Sequence, residues 1–307
     1  MYRIGLINMP FANLNFPSIA LTQLKSVLAR EHDDVETDVL YLNLDFAELV
    51  GIDRYRDIAN VIYLGDWIFR QAAFPDCPDN SVAYFQRYFP RRTEQVARLK
   101  QLITSFRPKL DDFLEKLIER YRLDRFDMVG FTFTFTQIVA CFAMARHLKQ
   151  RNPEAIVVMG GANCEAPMGR ELVRNFRSID YVFSGPALKS FPQFVGYCHN
   201  GQKDKIIEIP GIFDKSTAER TRGQAIIGEE LGLDEDVTLD YDDFVESVQN
   251  KYPNSDIKLT IPFETSRGCW WGERAHCTFC GLNGMSMNYR AMESDRAVKL
   301  ISALFRY

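Results

Sequence analysis

The chain has 307 residues, of which 46% are hydrophobic and 25% charged, with a formal net charge of -4. That length suits two domains and supplies apolar material for an ordinary core. No apolar run reaches the ~20 residues that span a bilayer, and no global basic field invites nucleic acid. The start, MYRIGLINMPF, lacks the basic, long apolar and small-residue regions of a secretory leader. A cytoplasmic protein with no membrane and no nucleic-acid partner is therefore expected.

Residues 3–8 (RIGLIN) read as a short apolar strand. A loop over 9–17 holds Pro10 and Pro17, a helix is predicted over 18–31, and 35–42 alternates like a second strand. This is a βαβ opening, which implies a parallel sheet. Residues 53–125 break the rhythm with helical spacing rich in Arg, Tyr and Phe, and read as a helical insertion. The βα rhythm then returns: strand 127–133 and helix 137–150, strand 155–159 and helix 165–175, strand 180–183 and helix 188–199. The expected fold is α/β, a doubly wound, Rossmann-like parallel sheet over residues 1–200.

Residues 201–255 are polar and in parts acidic, and read as a linker with one strand at 205–209. Residues 256–307 begin a second unit, with a strand at 257–265, a cysteine-bearing loop and a helix over 294–307. One strand, one loop and one helix cannot bury a core, and a (β/α) barrel needs on the order of 200 residues. The natural chain is therefore expected to continue past Tyr307.

Of seven cysteines, Cys77, Cys141, Cys164 and Cys198 are scattered and read as small buried hydrophobes. Cys269, Cys277 and Cys280 stand within twelve residues, in ETSRGCWWGERAHCTFCGLNG. A Cys-x2-Cys pair presents two thiolates to one metal from a tight turn. Two metal readings stay open. With His276 as a fourth ligand the set is Cys3His zinc. Without it, three thiolates suit a 4Fe–4S cluster with one open iron that can bind an organic cofactor, whereas four would close the cluster. Glu264 and Arg267 either hold the loop or substrate or form a plain salt bridge, and Trp270 and Trp271 either cover a cofactor or anchor packing.

The segment resembles the first βα unit of radical S-adenosylmethionine enzymes. There, three cysteines follow the first barrel strand and an aromatic residue, here Phe279, precedes the last of them. The usual spacing of three and two is seven and two in this chain. With the following YRAMESDRAVKLISAL, that wider spacing resembles the radical enzymes of ribosomal-peptide (RiPP) maturation, many of which are cobalamin-dependent C-methyltransferases. MPF after strand one, the threonine-rich loop after strand three and GGA after strand four resemble the cobalamin-binding domain that precedes such modules.

The resemblance implies a methyltransferase holding a 4Fe–4S cluster on Cys269, Cys277 and Cys280, with S-adenosylmethionine and cobalamin as further cofactors. Asn8, Pro10, Thr132, Thr134, Gly160, Gly161, Gly185 and Phe279 would be the cofactor-binding residues, and no catalytic side chain is assigned. It also implies a peptide substrate and an electron donor. Two departures stand out. No histidine lies in an Asp-x-His-x-x-Gly context, so cobalt would lack a His ligand, and Pro186 and Leu188 occupy positions that are acidic in relatives. The rival readings are a non-catalytic cobalamin- or metal-binding module, and a radical cyclase or methylthiotransferase on the same scaffold.

Overall fold

The structure is a computed structural model that describes residues 1–91, 93–221, 224, 226–280 and 287–307. Its first half opens with β1 (Tyr2–Ile7), α1 (Ile19–Glu31) and β2 (Val35–Leu40). Ser18 caps α1 by accepting a hydrogen bond from the Leu21 amide, one of the orphan donors of the first turn. Six helices follow: α2 (Leu42–Val50), α3 (Ile52–Ala59), α4 (Leu64–Ala73), α5 (Ser81–Tyr88), α6 (Glu94–Phe106) and α7 (Leu110–Tyr121). The helical run thus begins at Leu42, eleven positions before the expected 53. Its core is aromatic: Phe11 meets Phe46 edge-on at 5.3 Å and lies 5.3 Å from Tyr55. Gly65 on α4 permits this, because a Cβ there would stand 2.5 Å from the Phe11 ring.

The sheet resumes with β3 (Met128–Thr132), α8 (Ile138–Arg151), β4 (Ile156–Gly160), α9 (Met168–Asn175), β5 (Tyr181–Phe183) and α10 (Ser190–His199). β6 (Ile212–Phe213), α11 (Lys215–Arg220) and α12 (Asp242–Lys251) come next. Strand order is β2-β1-β3-β4-β5-β6, with the first five parallel and β6 antiparallel to β5. β1, β3 and β4 are buried on both faces, as expected of strands covered by crossover helices.

The strand expected at 205–209 is instead a 3-10 turn, Lys203–Glu208. The polar KDK run has no apolar alternation to lay on a sheet, and the edge is taken by Ile212–Phe213. Within 201–255 the chain also docks α12 on the first half: Lys251 binds the buried carboxylate of Asp45 at 2.6 Å, and the Tyr252 hydroxyl donates to the Leu44 carbonyl at 2.6 Å.

The C-terminal region carries β7 (Ser266–Arg267), β8 (Arg290–Ala291) and α13 (Ser294–Leu304). The strand expected at 257–265 is not formed. That stretch makes only isolated ties: the Asn15 carbonyl accepts from the Thr260 amide at 2.9 Å, the Asn15 side chain donates to Lys258, the Tyr241 hydroxyl donates to the Pro262 carbonyl, and the Thr265 carbonyl accepts from the Met292 amide at 2.7 Å. Pro262 removes a ladder donor, and no neighbouring strand lies alongside among the described residues. The first βα unit of a barrel is accordingly not seen. A two-residue antiparallel ribbon joins Ser266 to Ala291 and Arg267 to Arg290, and α13 buries no residue.

Candidate functional site

The chain reverses direction across the sheet between β1 and β3, the switch point at whose carboxyl edge open α/β sheets bind ligands. Two concavities open on that edge. One, of about 330 Å³, lies at the switch point between the loops after β1 and β3, with Asn13, Phe16 and Phe135 on its rim. The other, of about 340 Å³, is an apolar slot running back between the sheet and α1, lined by Leu6, Leu24, Gly130, Val158 and Phe183 among others.

At the switch point Asn8 is buried. Its Oδ1 accepts from Thr132 Oγ1 at 3.1 Å and from Gln137 Nε2 at 2.7 Å, and Gln137 also donates to the Met9 carbonyl at 2.8 Å. The Thr134 hydroxyl donates to Gln137 Oε1 at 2.6 Å. The structure thus brings together Asn8, Thr132 and Thr134, and both threonine hydroxyls are spent within the protein. Gln137, the hub, was missed by sequence reasoning; its position directly after the TFTFT run was the available signal. Pro10 is buried and lines neither concavity.

Gly160, Gly161 and Gly185 all line the slot. Gly160 has room, since a Cβ there would meet only Phe183 Cβ, at 3.8 Å. Gly161 serves loop packing: its φ is 129°, and a Cβ would press on Thr134 and the Phe133 carbonyl at about 3 Å. Gly185 likewise makes way for Ile227. The segment after it straps across this edge, where the Gly228 amide donates to the Ser184 carbonyl at 2.7 Å.

The mouth of the slot is polar. Gln23, Glu230, Glu264 and Arg267 stand there. Arg267 forks onto Glu264, Nε to Oε1 at 2.8 Å and Nη2 to Oε2 at 2.7 Å, and its Nη1 donates to the Leu231 carbonyl at 3.0 Å. The Glu264 hydrogen bond is the main reason the Arg267 guanidinium is held above its ordinary pKa. Arg290 pairs with Glu230.

Two residues past Arg267 the cysteine loop begins. Cys269, Cys277 and Cys280 are each half-buried, and the Cys280 amide closes a turn on the Cys277 carbonyl at 3.1 Å. Trp270, Trp271 and Phe279 are exposed, Phe279 at 91%. Residues 281–284, the GLNG end of the motif, lie outside the described residues. The donor chemistry suits iron or zinc, but among the described residues no three His, Cys, Asp or Glu side chains are drawn together closely enough to hold a metal ion. The remaining cysteines differ from these three. Burial pushes the Cys141 and Cys164 thiols well up and the Cys198 thiol up to about 12, as expected of inert core residues. Cys77, expected among them, is exposed.

The whole of this chain superposes on 32% of the chain of the cobalamin-dependent S-adenosylmethionine radical enzyme OxsB. The TM-score is 0.61 for the form with aqua-cobalamin bound and 0.60 for the form with aqua-cobalamin and S-adenosylmethionine bound, each at 13% identity. The two proteins share a fold over that third. At this identity the likeness reaches no further than the fold. The radical S-adenosylmethionine methyltransferase TsrM from Kitasatospora setae is similar over 69% of this chain and 28% of its own, at 15% identity; its TM-score of 0.34 carries no argument. No family model matches the chain, and no curated protein matches it. No helix among the described residues is long and apolar enough to cross a membrane.

Proposed function

We propose that this chain belongs to a cobalamin-dependent radical S-adenosylmethionine enzyme that methylates an unactivated carbon of a ribosomally made peptide. The observation that carries the reading is the apolar slot at the carboxyl edge of the sheet, whose mouth is formed by the residues that lead into Cys269. Cobalamin is a flat corrin with a nucleotide tail ending in an apolar aromatic base. The slot is too small for a corrin and suits such a base, while the switch-point crevice beside it faces the loops that would carry the ring. No Asp-x-His-x-x-Gly is present to ligate cobalt, which agrees with a base held away from the metal.

In this reading Cys269, Cys277 and Cys280 hold the 4Fe–4S cluster, and an external electron donor serves it. When bound, cluster, S-adenosylmethionine and cobalamin together supply radical formation and methyl transfer, and the protein orients them and excludes water. The chain's own part is to set the slot against the cysteine loop, through Arg267 on one side and the Gly228 strap on the other.

Anaerobic reconstitution tests the metal assignment. Iron and sulfide analysis should give one 4Fe–4S cluster, and alanine at Cys269, Cys277 or Cys280 should abolish it. Each substitution should change stability by within about 0.5 kcal/mol, as half-exposed loop positions do. Cys77→Ser should leave iron uptake intact. Stoichiometric zinc without iron would turn the assignment to the Cys3His site with His276.

A further inference from the structure

We propose that Arg267 is a positioning residue that couples occupancy of the apolar slot to the conformation of the Cys269–Cys280 loop. The inference rests on the cobalamin reading above and adds to it a linkage between the two halves of the site.

Arg267 is a joint between three walls. Its bidentate contact fixes Glu264, and Glu264 Oε2 lies 3.5 Å from Gln23 Nε2 on α1, the helix that forms one side of the slot. Its third donor holds the Leu231 carbonyl, the end of the strap that begins at Gly228. That strap is pressed against the loop after β5 so closely that a Cβ at Gly228 would stand 2.2 Å from the Pro186 carbonyl oxygen. The third wall is the ribbon β7–β8 itself. Arg267 is one of its rungs, paired with Arg290, and the ribbon leads directly to Cys269, whose amide donates to the Met287 carbonyl at 3.1 Å.

The Glu264–Arg267 side chains are 28% and 17% exposed, so the pair is partly desolvated without a ligand. An apolar group entering the slot removes further water from their inner side. The Coulomb attraction then acts at lower dielectric, and the fork is held more firmly. Firmer contacts restrict β7 and hence the loop beyond it. Binding linkage is reciprocal, so a loop held in place by its own ligand would raise the affinity of the slot by the same factor. Lysine at this position would keep the charge but lose the planar fork that reaches Glu264 and Leu231 together.

Amide hydrogen exchange on the whole protein, with and without saturating hydroxocobalamin, reads this directly. The reporters are the ribbon amides of Cys269 and Met292, the latter bonded to the Thr265 carbonyl at 2.7 Å. Hydroxocobalamin should slow their exchange by about tenfold, within the usual range of coupling between two sites. In Arg267→Ala the slowing should fall below about twofold, while visible titration still shows cobalamin bound. If the alanine variant loses its fold by far-ultraviolet circular dichroism, Arg267→Lys takes its place with the same expectation. Bound cobalamin with unchanged ribbon exchange, or equal slowing in wild type and variant, overturns the coupling alone. Absence of cobalamin binding to the wild type overturns the reading beneath it as well. A merely structural arginine would lower the stability of the free protein and leave the ligand-dependent change intact.

Discussion

The sheet domain and the cysteine-bearing region are built to different standards. In the first, five parallel strands pair in continuous register and Ile4, Leu6, Val129 and Met159 are almost wholly out of water. In the second, the regular pairing is two residues long, α13 buries nothing, and Trp270, Trp271 and Phe279 stand in solvent. Burial of apolar area is the main source of stability, so the sheet domain carries most of it, while the cysteine region is held mainly by polar contacts, with a little apolar packing from Ile257 and Leu259 before it and Tyr307 after it. The proposed cluster ligands thus sit on the less buried of the two regions.

Breaking the rigid side should have the largest effect. The Asp45 side chain is 1% exposed and accepts from Arg120 at 2.7 Å, Tyr121 at 2.9 Å and Lys251 at 2.6 Å, so it locks α2, α7 and α12 together. Asp45→Ala takes from Arg120 and Lys251 their nearest anion, with Glu48 remaining at 3.7 and 3.8 Å, and should cost about 2 kcal/mol in a urea or thermal melt. A loss under about 1 kcal/mol would mean that α12 is held by apolar packing instead. A smaller effect is expected at the boundary between the two regions. Gly160→Trp should fill the slot and weaken hydroxocobalamin binding at least about tenfold, roughly 1.4 kcal/mol, with little change in melting. Gly161→Trp should disturb the fold itself, because its backbone is left-handed and its neighbours leave no space. Equal binding by wild type and Gly160→Trp would remove the slot from the cobalamin site.

What could be read from residues alone divides along the same line. The strand–helix alternation from Tyr2 to His199 was legible because burial on both faces imposes continuous apolar runs bounded by turns. Asn8 and Thr132 were legible as neighbours because βαβ handedness brings alternate loops to one edge. The true ends of the helical insertion were not, since Leu42 follows β2 with only Tyr41 between them and no breaker marks the change. Glu264 and Arg267 were readable as a salt bridge, but the part of Gln137 and the tie from Arg267 to Leu231 were illegible for another reason. Each depends on contacts over 36 to 129 positions, between residues whose types fit a solvated loop equally well. The expected strand over 257–265 failed because β-propensity counts only where a neighbouring strand is present.

The smallest expected effect sharpens the comparison from within the sheet domain, at the outer rim of its helical insertion. There Asp79 accepts from the Ser81 hydroxyl at 2.6 Å and from Arg107 at 2.8 Å, and Arg107 lies 4.1 Å above the Trp67 ring. Trp67 in turn stacks on Tyr84 at 4.2 Å and donates to Asn80 at 2.9 Å, so one small polar group organises the turn into α5. The Ser81 hydrogen bond, and after it the Arg107 contact, hold the Asp79 carboxyl below its ordinary pKa. A carboxylate depressed on folding stabilises the folded state above its unfolded value, near pH 4, and that contribution disappears as pH falls through the folded value. Asp79 is 51% exposed, so solvent screening keeps the effect under about 1 kcal/mol. Asp79→Asn should therefore melt slightly below wild type at pH 7, and the difference should shrink as the pH is taken below about 4 and vanish once the folded carboxyl is protonated. A difference that persists in acid would locate the effect in the Asn side chain's own packing. A difference as large as that of Asp45→Ala would mean that the rim of the insertion belongs energetically to the rigid side of the molecule.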